Sequence, residues 1–215
     1  MNFMTSMTEL FQTLRFHQKK NPPIIFLVVG LGNPGSKYEN TRHNAGFCAL
    51  ERLAQEENCS CNRMKFHSKI GKATIEGTGC ILLKPQTFMN ESGKAVEEAR
   101  SYYHLSPSQI LVFSDDISLP PGAIRIRRKG SHGGHNGLRD IVEATGSEDF
   151  LRIKIGVGKK PHPDYDLAKW VLGRFSEMEL KSMHKAYENA ASAARLLIAG
   201  EIEEAMNRYN GKNHK

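Results

Sequence analysis

Residues 24–46 read IIFLVVGLGNPGSKYENTRHNAG, an apolar run followed by a polar turn punctuated by glycines. The run at 24–31 is apolar and rich in β-branched residues, which predicts a strand buried on both faces of a sheet and therefore a central one. The turn places polar side chains, among them Asn33 and His43, directly after that strand. Open α/β sheets bind ligands at such strand ends, so this stretch predicts both the sheet and a site.

In the rest of the chain, segments with the apolar spacing of helices alternate with segments that have the apolar pattern of strands. Apolar spacing predicts helices over 44–57, 90–103, 176–199 and 201–209, and another that begins after the glycine-rich loop 130–137. We expect Asn90 or Ser92 to cap the second of these helices. Shorter apolar or alternating runs predict strands at 64–76, 80–83, 110–113, 124–129 and 152–158. The pattern predicts an α/β fold, a single-domain three-layer sandwich with a mixed, mostly parallel twisted sheet flanked by helices.

The length of 215 residues is typical of one domain. We expect that domain to occupy residues 23–210, after a flexible N-terminal extension at 1–22 and before a tail at 211–215. The prolines at 22 and 23 would end any helix in the extension. No apolar run approaches the ~18–20 residues that a membrane span needs, which argues against a membrane protein.

The charge favours a polyanionic partner. Thirty basic residues against 23 acidic ones give a net charge of +7, which nucleic-acid-binding proteins share with many other soluble proteins. The four cysteines include a close pair, Cys59 and Cys61, without a second pair at zinc-finger spacing. Free thiols in a reducing compartment are the favoured interpretation, so we expect a cytoplasmic protein.

The turn also matches Gly-x-Gly-x-x-Gly, the fingerprint of dinucleotide-binding proteins. That fingerprint requires a helix whose N-terminus receives the pyrophosphate immediately after the turn. Pro34 and the polar residues 36–42 carry no apolar stripe, so the helix is expected to start too late. A nucleotide cofactor is therefore disfavoured, although it remains an alternative.

The other interpretation uses the side chains of the turn. His43 is a candidate general base, and Asp115, at the end of another predicted strand, is a candidate partner that fixes its tautomer. Asn44, Asn90 and Asn136 supply neutral amides that suit a peptide-like group. No Gly-x-Ser-x-Gly elbow or recognisable cysteine nucleophile is present, so direct attack by water is favoured.

A pair of histidines and a group of basic residues each allow two interpretations. His132 and His135 resemble metal ligands, but no third ligand follows at a recognisable spacing, so we expect no metal and no cofactor. The basic residues at 125–129, with Lys154, could follow the phosphates of a nucleic acid or form a solvated face. A non-catalytic RNA-binding module is therefore a second hypothesis.

Several motifs together resemble one family, the bacterial-type peptidyl-tRNA hydrolases. They are GLGNPG at 30–35 with TRHNAG at 41–46, PQTFMNESG at 85–93, SDDISLPPG at 114–122 and GGHNGL at 133–138. The resemblance runs from about residue 24 to residue 207 in the order and spacing of the family, and only the N-terminal extension falls outside it.

The resemblance implies hydrolysis of the ester that joins a peptide to the terminal ribose of tRNA, by a monomeric enzyme that recycles tRNA from prematurely released peptidyl-tRNA. It implies that His43 activates water, that Asp115 holds His43 in its basic form, and that Asn33 discriminates blocked peptidyl substrates from free aminoacyl ones. The positions that match contacts with the peptide or the terminal nucleotide are Tyr38, Phe88, Asn90 and Asn136.

The resemblance also implies a clamp for the 5′ phosphate of tRNA, which falls on Arg127 and Lys154. Family members often carry Lys and Arg there respectively, and the exchange places a lysine where bidentate binding would be lost. Two further departures are Ser114, where His is frequent, and Asp116 in place of Glu. Neither removes the predicted base or its partner.

Overall fold

The structure, a computed structural model, describes residues 22–211, and its seven strands lie in one sheet. Apart from residues 22 and 211, the predicted extension at 1–22 and the tail at 211–215 lie outside the described residues. The strands are β1 (Ile24–Gly30), β2 (Arg63–Lys65), β3 (Ser68–Ile75), β4 (Thr78–Pro85), β5 (Ile110–Asp116), β6 (Ile124–Arg127) and β7 (Leu151–Gly156). They are ordered β2-β3-β4-β1-β5-β7-β6 across the sheet, so the first strand is central as predicted.

Six α-helices and four short 3₁₀ turns connect the strands within the described part of the chain. The helices are α1 (Ala45–Glu56), α2 (Ser92–Tyr102), α3 (Asn136–Thr145), α4 (Leu167–Val171), α5 (Glu177–Ile198) and α6 (Ile202–Tyr209). The 3₁₀ turns are Ser36–Tyr38, Arg42–Asn44, Met89–Glu91 and Pro107–Gln109. None of the helices described between residues 22 and 211 is long and apolar enough to cross a membrane.

The central strands are buried on both faces, and their alternate side chains build two cores. Val28 packs into the core beneath α1, α5 and α6, whereas Leu27 and Val29 pack into the core beneath α2 and α3. Successive residues of a strand point to opposite faces, so a continuous apolar run serves two helical layers. The predicted three-layer α/β sandwich is confirmed.

The ladders divide evenly between the two directions. β4, β1, β5 and β7 are paired in parallel, and the outer pairs β2–β3, β3–β4 and β6–β7 are antiparallel. The sheet is therefore mixed, as predicted, but it is not mostly parallel, because only the three pairings among β4, β1, β5 and β7 run parallel. The carboxyl ends of those four strands meet at one edge of the sheet.

Three local predictions need correction. β5 continues through Ser114, Asp115 and Asp116 rather than ending before them, because its neighbour β7 extends the ladder to Gly156. The helix expected from residue 90 begins as a 3₁₀ turn, and neither Asn90 nor Ser92 caps α2, whose N-cap is Glu91 without a side-chain hydrogen bond. The short helix α4 was not predicted, since its five residues are too few to show a period.

Candidate active site

A cavity of about 570 Å³, here called the large cavity, opens at the edge where the parallel strands end. Each central strand or the loop after it contributes to its wall. The residues that the sequence singled out and that line it include Asn33, His43, Phe88, Asn90, Asp115, His132, His135, Asn136 and Lys154. The fold therefore brings together side chains that are more than a hundred residues apart in sequence, and the prediction of a site at this edge agrees with the geometry.

Close backbone packing delivers His43 to this cavity. A methyl group built on Gly46 would lie 2.4 Å from the carbonyl oxygen of Phe113 and 2.6 Å from that of Leu31, so only glycine lets the start of α1 lie against β1 and β5. The amide of Phe47 donates to the Leu31 carbonyl at 3.0 Å and fastens the same junction. The glycines of this region thus provide room for presenting side chains.

The same packing disfavours the dinucleotide alternative. After Gly35 the chain makes two three-residue 3₁₀ turns, Ser36–Tyr38 and Arg42–Asn44, and α1 does not begin until Ala45. The helix N-terminus that would receive a pyrophosphate is therefore missing from the position the fingerprint requires. Its place is taken by the loop that carries Asn33 and His43.

His43, Asp115 and His135 form a hydrogen-bonded group at the floor of the large cavity. His43 Nδ1 lies 2.8 Å from Asp115 Oδ1, and His135 Nε2 lies 2.9 Å from the same oxygen. The two imidazole rings are 5.0 Å apart between centroids. Asp115 is only 5% exposed, so its carboxylate contacts the two rings instead of water.

Hydrogen bonding fixes the orientation of both rings. An ionised carboxylate only accepts, so the facing nitrogens, His43 Nδ1 and His135 Nε2, donate to Asp115. The other nitrogen of His135, Nδ1, accepts from the backbone amide of Leu138 at 3.3 Å, and His135 thereby caps α3. Among the described residues His43 Nε2 has no hydrogen-bond partner, and His43 lines the large cavity.

The electrostatics of the group favour a basic imidazole. Burial by itself lowers the pKa of His43, but the charge of Asp115 and its hydrogen bond outweigh that effect, and the pKa is raised above 6.5. Burial by itself raises the pKa of Asp115, and the two histidines outweigh it, so the carboxylate stays ionised far below neutral pH. His43 is therefore a stronger base than a free histidine.

Asn33 is held rigidly by three hydrogen bonds. Its side-chain oxygen accepts from the amide of Met89 at 2.8 Å, and its backbone N–H and C=O both bond to the side chain of Asn44, at 2.8 and 3.0 Å. With its oxygen engaged, the Asn33 side chain presents its NH₂ group to the cavity. Asn44, expected to recognise substrate, instead uses its amide to hold Asn33, and it is 4% exposed.

Arg42, which the sequence did not single out, fixes the residue next to His43. Its guanidinium is buried between the rings of Trp170 and Phe175, at 3.9 and 4.9 Å from their centroids. It also donates twice to Glu179, at 2.8 and 3.0 Å, and to the carbonyl of Val157 at 3.2 Å. These contacts tie the turn that carries His43 to α5 and to the segment around α4, which lines the large cavity.

Three of the four residues expected to contact peptide or nucleotide line the large cavity, and the fourth, Tyr38, lies beside one of them. Phe88 is 54% exposed, and its ring meets that of Tyr38 edge to face at 6.5 Å between centroids. Asn90 and Asn136 are exposed and line the large cavity. Tyr38 reaches the site only through Phe88, since it does not itself line the cavity.

The two residues expected to clamp a phosphate lie on one face of the β6–β7 ladder. Arg127 stands opposite Arg152, and Lys154 stands two residues further along β7, opposite Arg125. Lys154 lines the large cavity and bonds to Asp116 at 3.1 Å, whereas Arg127 is exposed outside it. Like charges opposite one another destabilise a ladder, and a bound anion offsets their repulsion. We therefore expect an anion to bind on this basic face.

Ser114, where family members often carry His, does not contact the group of His43, Asp115 and His135. Its side chain is fully buried, and its hydroxyl finds no hydrogen-bond partner among the described residues. Neighbouring residues of a strand point to opposite faces, so Ser114 points away from the face that carries Asp115.

His135 is the functional residue that sequence reasoning missed. The sequence predicted no metal there because His132 and His135 lacked a third ligand at a recognisable spacing. That reason is wrong, because the fold places donor atoms of His43, Asp115 and His135 within 4.8 Å of one another. The available signal was the position of His135 immediately before Asn136 in the glycine loop.

Comparisons with known proteins agree with this geometry. The family model for peptidyl-tRNA hydrolase matches residues 27–215. The chain is 49% identical to a peptidyl-tRNA hydrolase of Agathobacter rectalis over 187 residues, covering 86% of this chain and all of that protein. It is 48% identical to the Clostridium beijerinckii enzyme, covering 87% and 96%.

A solved structure gives the same result in three dimensions. The crystal structure of peptidyl-tRNA hydrolase from Acinetobacter baumannii is similar with a TM-score of 0.82 and 41% sequence identity, covering 88% of this chain and 96% of that one. Sequence and fold thus agree over nearly the whole described part of the chain, and the chain belongs to the peptidyl-tRNA hydrolase family.

Proposed function

We propose that this chain hydrolyses the ester bond of peptidyl-tRNA, releasing peptide and free tRNA, with water activated by His43. The observation that carries the proposal is the buried carboxylate of Asp115 bonded through one oxygen to both His43 and His135, at the floor of a cavity lined by amides. Family membership supports the substrate, and the site's own chemistry supports the mechanism.

His43 acts as the general base in this proposal. Its Nδ1–H donates to Asp115, so the lone pair of Nε2 accepts a proton from water as the water attacks the ester carbonyl. Asp115 stabilises the imidazolium that forms, and His135 keeps the carboxylate in place. The protonated His43 then returns its proton to the ribose oxygen that leaves. Positioned acid–base catalysis of this kind contributes ~10²–10⁴-fold to a rate.

The amides at the cavity mouth stabilise the negative charge that develops on the carbonyl oxygen. Asn90, in the 3₁₀ turn Met89–Glu91, and Asn136, the first residue of α3, each offer an NH₂ group beside the cavity. Neutral donors held in place cost no reorganisation during the reaction. An ester is already an activated acyl group, so a base and neutral donors suffice. The proposal needs neither a metal nor a cofactor.

Asn33 selects the blocked amino end of the peptide. Its oxygen is committed to Met89, so its NH₂ group donates to a peptide carbonyl and repels the ammonium of a free aminoacyl group. Replacing Asn33 with Asp keeps an acceptor for Met89 and turns the exposed donor into a charged acceptor. We expect hydrolysis of aminoacyl-tRNA relative to N-blocked aminoacyl-tRNA to rise at least ~10-fold, because hydrogen bonds to charged groups contribute ~1.5–3 kcal/mol.

The matched control is Asn33→Ala, which removes the donor without adding charge and should gain no aminoacyl-tRNA hydrolysis. Both substrates are assayed by release of labelled amino acid. An Asn33→Asp enzyme with the discrimination of the wild type would show that the blocked end is recognised elsewhere.

Arg127 and Lys154 bind the 5′ phosphate of the tRNA. They are diagonal neighbours on one face of the β6–β7 ladder, a spacing of roughly 7–8 Å that one phosphate can bridge. We expect Arg127→Ala to raise KM with little change in kcat, since Arg127 lies outside the large cavity. For this variant, the slope of log affinity for tRNA against log salt concentration should fall by about one phosphate contact.

Two controls distinguish a specific contact between Arg127 and the 5′ phosphate from a general effect of positive charge on tRNA binding. Arg128→Ala removes the same charge from the same segment, but Arg128 pairs with Glu203 and should leave KM unchanged. A tRNA without its 5′ phosphate should bind wild type and Arg127→Ala equally. If Arg127→Ala weakened both substrates alike, a specific clamp would be refuted.

The proposal also gives the enzyme its cellular role. Prematurely released peptidyl-tRNA arises at ribosomes, so an enzyme that recycles it acts in the cytoplasm. One chain supplies every side chain named in the mechanism, and we propose that the monomer is the active form.

One assay tests the function directly. The full chain is incubated with an N-blocked aminoacyl-tRNA, with and without a metal chelator, and released amino acid is measured. Hydrolysis that the chelator leaves unchanged is expected. Salt-sensitive tRNA binding without hydrolysis would instead identify a non-catalytic RNA-binding protein, and loss of activity with chelator would assign a metal to the His43, Asp115 and His135 group.

A further inference from the structure

Cys59 and Cys61 line a second cavity, here called the thiol cavity, of about 260 Å³. It lies between α1 and the segment that leads to β2, and it shares no lining residue with the large cavity. Both cysteines are free and only half-buried. The proposed hydrolysis uses neither thiol, so the pair lacks a role there.

The two sulphurs converge on one point above Gly71 of β3. A methyl group built on Gly71 would lie 2.6 Å from Cys59 Sγ, which is closer than a Cβ atom normally approaches a neighbour, and 3.1 Å from Cys61 Sγ, which is a tight contact. The glycine therefore leaves the space that both thiols occupy. Cys59 Sγ also donates to the carbonyl of Lys72 at 3.3 Å, which holds it on this side.

Charged side chains of both signs line the thiol cavity. Lys69 and Lys84 supply positive charge, and Glu51, which also lines the cavity, is paired with Lys84. The charged lining is therefore positive by one unit beside the two sulphurs.

We propose that Cys59 and Cys61 together bind one soft monovalent cation of the Cu⁺ class. Thiolates are soft ligands that select such ions. Among the described residues, the only group of three His, Cys, Asp or Glu donors at metal-binding range is the one around Asp115, so the pair offers two ligands without a third. Zn²⁺ takes four ligands and is a poorer match. Binding releases both thiol protons to solvent and leaves a bis-thiolate complex of charge −1 near the two lysines.

The test is a competition for Cu⁺. The full chain is reduced, freed of reductant and titrated anaerobically with Cu⁺ held by a coloured Cu⁺ chelator, whose absorbance falls as the protein takes the ion. The wild type should withdraw one equivalent. Cys59→Ser and Cys61→Ser should each bind at least ~10²-fold more weakly, since loss of even an outer partner of a metal ligand can cost that much.

Matched controls keep the result specific. Cys48→Ser removes a thiol that lines neither cavity and should bind like the wild type. Circular dichroism checks that each variant is folded, and hydrolysis of N-blocked aminoacyl-tRNA by Cys59→Ser should match the wild type whether or not the ion binds. A wild type that withdraws no Cu⁺, or folded Cys59→Ser and Cys61→Ser variants that bind as tightly as the wild type, would overturn the proposal.

Discussion

Replacing His43 with alanine is expected to lower kcat for an N-blocked aminoacyl-tRNA by at least ~10²-fold, the usual contribution of a general base. The variant keeps the cavity and the amides but loses His43 Nε2, the ring nitrogen that accepts the proton of the attacking water in the proposed mechanism. Single-turnover hydrolysis measures the loss, since it separates chemistry from product release.

Binding provides the control for this variant. The proposed phosphate contacts of Arg127 and Lys154 are untouched, so the affinity for tRNA should stay within a few-fold of wild type. Near-normal turnover by His43→Ala would remove His43 from the mechanism. A loss of affinity equal to the loss of turnover would assign it to binding.

Replacing Asp115 with asparagine is expected to lower kcat by ~10²-fold or more and to move the acidic limb of the pH–rate profile. The charge of Asp115 raises the pKa of His43 against the opposing effect of burial. Without that charge burial dominates and the pKa falls, so the base form persists to lower pH. The acidic limb should therefore shift to lower pH even as the maximal rate drops.

This direction distinguishes an electrostatic partner from a structural one. A residue that merely held the fold would reduce the rate without moving the profile. Measuring kcat from pH 5 to 9 for both enzymes decides between them, and an acidic limb that stays in place, or moves to higher pH, would contradict the role given to Asp115. Thermal unfolding of both proteins shows whether the variant is folded in that range.

Local patterns predicted most of the secondary structure because each element here buries a regular face. The helix expected at 44–57 is α1 at Ala45–Glu56, and the helices expected near 176–199 and 201–209 are Glu177–Ile198 and Ile202–Tyr209. The failures fall where no period exists, in the five-residue helix α4 and at the start of α2. A capping side chain cannot be assigned from sequence when a 3₁₀ turn absorbs the helix start.

Side-chain partners were harder to predict than elements. His43 and Asp115 were paired correctly because both follow apolar runs and strand ends meet in space. Asn44 was misjudged, since sequence showed a free amide where the fold uses it to hold Asn33. The contacts of Arg42 were not predicted because its partners Trp170, Phe175 and Glu179 are more than a hundred residues away in the chain.

The sequence by itself determined the sandwich, the strand-end location of the candidate site and the family. Apolar periodicity and local motifs depend only on residues that are close together in the chain. Only the tertiary structure decided that His135 shares one oxygen of Asp115 with His43, across sequence separations of 20 and 72 residues. That contact depends on β1 lying beside β5 and on α3 beginning above them. Strand order and helix placement are set by the packing of the whole core, which no local pattern records.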